Sequence, residues 1–164
     1  MTKEELTIQS PENIRLQKYR SSLMASGGAM IIFSLWTLLR SFVQIEAKLN
    51  YRGDTEALKP WITAILIVGI VELVLMIYLG ISARGEGMGR KKRRPYLVLG
   101  IIVAALSAVS ILYLIFDFQV ECQVYGVIGA IVTLAVEITF FYAALDLVVS
   151  AIRVRKLEEE TGRA

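Results

Sequence analysis

Long apolar blocks alternate with short polar stretches along this chain. The apolar blocks cover about 23–47, 60–82, 96–118 and 126–152. A bilayer's hydrocarbon core is roughly 30 Å thick, so about 20 helical residues cross it. Each block meets that length, and the pattern predicts an all-α, four-helix transmembrane bundle running up-down-up-down. The residues before it, 1–22, read as a cytoplasmic segment without a cleavable-signal pattern, since Glu4 and Glu5 spoil a basic leader. Ser10-Pro11-Glu12 reads as a helix start, with a capping Ser, Pro at the first position and an acid in the first turn. It opens a short interfacial helix. Pro60 is placed to start the second span. The tail, 153–164, continues the fourth helix and then frays, its charge run a solvated face.

Within the spans, small residues mark where helices should approach. In lipid, association is led by packing rather than by hydrophobicity, so Gly and Ala favour contacts. Gly27 and Gly28 on span one, and Gly100, Ala104 and Ala108 on span three, are the expected packing positions. Span one also carries a polar stripe, Ser34, Thr37, Ser41, Gln44 and Lys48, at spacings of three and four. Arg40 lies beside it.

Charge sets the direction of threading. The stretch from Arg84 to Arg94 holds six basic residues (Arg84, Arg90, Lys91, Lys92, Arg93 and Arg94) against one acid, Glu86. Short loops rich in Lys and Arg stay cytoplasmic, so loop 83–95 is expected inside. Fourteen basic residues then fall on the inner side and three, Lys48, Arg52 and Lys59, on the outer, with Arg40 below the surface. Both termini are expected in the cytoplasm. The net charge of +3 therefore points to anionic lipid headgroups rather than to nucleic acid. Gly85, Gly87 and Gly89 follow a membrane helix and lack the phosphate-loop spacing, so they read as a flexible, lipid-facing linker. Arg52-Gly53-Asp54 reads as an ordinary turn.

Composition narrows the chemistry. At 55% hydrophobic residues in 164, the chain exceeds a soluble domain's share of about 45–50%. It has no histidine and one cysteine, Cys122. No internal disulfide is available, zinc has few of its usual ligands and the commonest general base is missing. We expect no cofactor, no metal and no enzyme activity. A lipid-modifying membrane enzyme would need a polar cluster at one interface. Cys122 reads as a free thiol that could otherwise link two copies.

The candidate chemistry lies in mid-bilayer. Glu72 is about 18 Å below Pro60, and Glu137 about 16 Å below Gly126. Both belong to helices running inward, so the carboxyls stand at matched depth. A charge there costs about 2.5–3.5 kcal/mol on insertion scales and is a functional candidate by default. The bland alternative is a neutral acid hydrogen-bonding a neighbouring helix. Gly126, Ala130, Thr133, Glu137 and Ala144 share one face, which aims Glu137 inward. Thr133 is a secondary polar group of that site. Arg40 either snorkels outward or pairs with Glu72 or Glu137 as gate or counter-charge. Asp146, near the inner interface, should pair with an inner-loop Arg or Lys. Ile70–Tyr78 and Ala135–Tyr142 share a Val-Glu pair with an aromatic five or six residues later, a hint of duplicated hairpins.

Two functions follow: proton- or cation-linked transport or conduction through Glu72 and Glu137, or a non-transporting accessory subunit whose polar groups bind a partner span. The small lumen of four helices leaves a role for a homodimer or a partner membrane protein.

Overall fold

The computed structural model describes residues 11–52, 55–90 and 94–160. Four helices make up these residues: α1 (Pro11–Arg52), α2 (Thr55–Gly87), α3 (Arg94–Phe116) and α4 (Phe118–Glu160). All four contain stretches long and apolar enough to cross a membrane. Their outward surfaces are apolar, as lipid requires: Ile32, Leu35, Val109 and Ile128 are all exposed. The chain has the character of a polytopic membrane protein.

The helices outrun the apolar blocks. α1 is helical from the first described residue, Pro11, and continues without a break through the expected interfacial segment; Ser10 of the capping pattern lies outside the described residues. α2 begins at Thr55, so Pro60 lies inside the helix rather than at its start. It ends at Gly87, well into the expected basic loop. Gly89, at φ 79°, turns the chain there, and the Arg90 amide donates to the Gly85 carbonyl at 2.9 Å. That bond closes the helix end. Asp117 alone separates α3 from α4, its carbonyl accepting from the Val120 and Glu121 amides. Gly126 then breaks α4 geometry at φ 74°, ψ 163°, where the fourth apolar block begins. The polar stretch 119–125 between the third and fourth apolar blocks is therefore helical rather than a loop.

Close backbone contact joins α1 to α2. A Cβ on Gly27 would stand 2.8 Å from the Gly80 carbonyl oxygen, and one on Gly80 would stand 2.5 Å from that of Gly27. Gly87 packs on Met24 and the Arg20 carbonyl, and Gly69 on Ser41. Gly87 is thus a tight contact and not part of a flexible linker. Gly28 faces open space and is not a packing position. The pairs 27–80 and 41–69 run in opposite directions, so α1 and α2 are antiparallel. Arg20–Glu158 and Arg40–Glu137 likewise set α4 antiparallel to α1. Gly100 packs on Leu147 and Val148, joining α3 to α4. Ala104 is buried beside this contact and Ala108 half-buried.

The continuous core occupies one end of the bundle. It is built from 16–30 of α1, 76–83 of α2, 96–104 of α3 and 140–154 of α4, with Leu23, Leu79, Tyr96, Leu147 and Val154 fully enclosed. Toward the other end the helices part. α2 contacts α1 extensively but touches α3 and α4 only lightly.

Candidate functional site

Where the core ends, Arg40, Glu72 and Glu137 line the same space. One cavity of about 290 Å³ is bordered by Trp36, Thr37 and Arg40 of α1, Gly69 and Glu72 of α2, and Glu137 of α4, and reaches Trp61 toward the open end. A larger one of about 520 Å³ lies between α2 and α3 and includes Arg40, Glu72, Glu137 and Ser107. The helical register explains the gathering. Thr37, Arg40 and Ser41 form one side of α1. The Gly69–Ser41 contact brings α2 close to that side just above Glu72.

The three charges are not equivalent. Arg40 donates to Glu137 in an ion pair whose carboxylate is largely enclosed, its side chain 12% exposed. Of the two partners that the sequence left open for Arg40, Glu137 is taken. Glu72 is exposed to the cavity and makes no hydrogen bond or ion pair with another described residue. Met76, one turn on, accepts from Thr37 Oγ1 at 3.7 Å and starts the core. Phe33 and Phe140 meet edge to face at 5.4 Å beside the ion pair, and both border the 290 Å³ cavity.

Thr133 stands apart from the carboxylates. It lines a third cavity, of about 270 Å³, with Trp36, Arg40 and Tyr125. Asp146 also has a different setting from the expected one. Its Oδ2 accepts from Ser22 at 2.7 Å and Ser26 at 2.8 Å, both on α1. The small residues around Ser26 bring α1 near enough for hydroxyls, instead of a loop cation, to satisfy it.

A second polar cluster, missed by reading the sequence, ties the core end together. Arg155 on α4 donates through Nε and Nη2 to both carboxylate oxygens of Glu86 on α2, each at 2.8 Å. Its guanidinium also lies 5.6 Å from the centre of the Tyr96 ring on α3. Arg20 on α1 holds Glu158 on α4 at 2.6 Å. Arg153 packs over Tyr19 at 5.0 Å. Glu86 and Glu158 are both buried, so this part of the tail is not a solvated face. Lys156 and Glu160 keep that character, an exposed pair at 4.0 Å, and Glu159 is exposed beside them. The signal was present in Glu86, the sole acid within a basic stretch.

Of the basic residues expected at lipid headgroups, Arg84 and Arg90 are exposed. Lys91, Lys92 and Arg93 lie outside the described residues, as do Gly53 and Asp54, and nothing is described of the Arg94 side chain. Cys122 is a free thiol of intermediate exposure. Set against protein-family models, curated proteins and solved structures, the chain matches none of them.

Proposed function

We propose that this chain carries protons or another cation across a membrane, with Glu72 and Glu137 as the site and Arg40 as a movable counter-charge. The reading is supported above all by one observation: an unpaired carboxylate, Glu72, shares a cavity with the Arg40–Glu137 pair. The proposal includes an up-down-up-down threading with both termini cytoplasmic, following the excess of basic residues on that side. The packed core then closes the cytoplasmic half, and the cavity opens toward the outer half. Arg84 and Arg90 lie at the inner headgroups.

In this scheme a cation first meets Glu72. Arg40 meanwhile holds Glu137. When Glu137 takes up a proton, its attraction for Arg40 is lost and the guanidinium turns to Glu72, expelling the bound cation. Loss of the proton restores the starting pair. Two carboxylates competing for one guanidinium thus couple two occupancies. The test is reconstitution in liposomes, following internal pH and cation flux. Flux is expected to collapse for Glu72→Gln and for Glu137→Gln. Unchanged flux in the double variant would reject the reading.

A second reading is an accessory subunit. It is favoured by the light contact between α2 and α3, which leaves Glu72 reachable by a partner's basic residue. A stoichiometric membrane partner on purification, lost in Glu72→Gln, would select it.

A further inference from the structure

Building on the transport reading, we infer that the cleft between α2 and α3 binds an amphiphilic organic cation, one with a positively charged head and an apolar body, entering sideways from the bilayer.

Charge comes first. Two carboxylates and one guanidinium border the cleft, leaving one negative charge when all are ionised. Because Arg40 is committed to Glu137, the excess sits on Glu72, and a cation is the complement. The walls come second. Ile67, Val71, Leu75, Val103 and Leu106 surround the polar floor. Ile67, Val71 and Leu106 are 56%, 53% and 63% exposed, so the rim is apolar on both helices. Hydrocarbon can pass it without leaving a lipid-like setting.

Size and donors separate an organic cation from a metal ion. The volume, about 520 Å³, falls in the range of roughly 300–1,000 Å³ usual for small-molecule pockets. A magnesium or calcium ion would need about six oxygen ligands. Among the described residues no three Asp, Glu, His or Cys side chains gather to supply a cage. A carboxylate on an apolar wall instead suits a head that is charged on one side and greasy on the other.

Ser107 points independently to a ligand. It is 4% exposed, lines this cleft, and its Oγ has no hydrogen-bond partner among the described residues. A buried hydroxyl left unpaired costs about 1–3 kcal/mol. An ammonium N–H donating to Ser107 Oγ while its charge faces Glu72 would satisfy both groups.

The experiment measures binding to the purified full chain in lipid nanodiscs, by equilibrium dialysis against two probes. Dodecylammonium carries N–H donors; tetraphenylphosphonium carries the charge without them. Both are expected to bind saturably, one per chain, without competition from sodium at matched ionic strength. Glu72→Gln should weaken both by roughly tenfold or more. Ser107→Ala should weaken dodecylammonium alone, by several-fold. Leu106→Trp, which fills the cleft without touching a charge, should block both while elution and thermal unfolding stay unchanged. Absence of saturable binding overturns the inference, as does binding that survives both Glu72→Gln and Leu106→Trp. A cross-link from Leu106→Cys to a second chain filling the cleft also overturns it. Failed binding with Glu72-dependent proton or cation flux intact removes this ligand class and leaves the transport reading. Binding without flux does the reverse.

Discussion

Arg155 grips Glu86 with two hydrogen bonds of 2.8 Å each, across 69 residues of chain and between α4 and α2. The Glu86 side chain is 2% exposed. Removing one partner of such a pair strands a buried charge, which costs about 3–5 kcal/mol. Arg155→Ala should therefore lower the thermal midpoint in detergent far more than exposed Lys156→Ala. Replacing both members with Met should recover most of the loss, because no charge is then left unpaired.

The contact between Gly27 and Gly80 leaves no room for a side chain on either. Gly80→Val should destabilise by about 1–3 kcal/mol, the usual cost of overpacking, and part α1 from α2. Gly28 meets nothing within 4 Å. Gly28→Ala should be neutral or stabilise by up to about 1 kcal/mol, since Ala is the better helix former. Chemical denaturation in mixed micelles would separate the two outcomes.

The Arg40–Glu137 pair can be isolated by a double-mutant cycle. We expect a coupling of about 1–3 kcal/mol between Arg40→Met and Glu137→Gln. Arg40→Met and Glu72→Gln should couple more weakly, because Glu72 is not Arg40's partner in this arrangement. Unfolding midpoints of the single and double variants provide the measurement.

Asp146 accepts from two serines of α1. Asp146→Asn keeps an acceptor oxygen and should cost less than about 1 kcal/mol, whereas Asp146→Ala should cost about 1–3 kcal/mol by leaving Ser22 and Ser26 without it. If a loop cation were the real partner, Asn and Ala would be equally harmful.

Threading can be read with a membrane-impermeant maleimide. Cys122 should react in intact cells. In a Cys122→Ser background, Arg90→Cys should react only after permeabilisation. The opposite pattern would invert the proposed orientation.

Helix number was legible in the order of residues, and the fourth apolar block begins at Gly126, where α4 has its non-helical backbone. That Glu72 and Glu137 lie at similar distances along their helices was legible too, because rise per residue is fixed by backbone hydrogen bonding, and both line the same cavities. Partner choice was not legible. The same stretch of α1 that carries Arg40 permits Glu72 or Glu137 as its partner, and only the placement of α4 against α1 selects Glu137. Gly28 looks identical to Gly27 in sequence, but a side chain there would meet none of the described residues within 4 Å. The tail's charges read as solvated, because nothing local announces that Glu86 and Arg20 wait opposite.

By itself, then, the order of residues determined four long apolar helices and the positions of their charges along them, properties of single segments. The tertiary structure alone decided that the core fills one end, that α2 and α3 stay apart, and which carboxylate goes unpaired. Those depend on how helices rotate and lean on one another, and that is a sum of contacts between segments far apart in the chain.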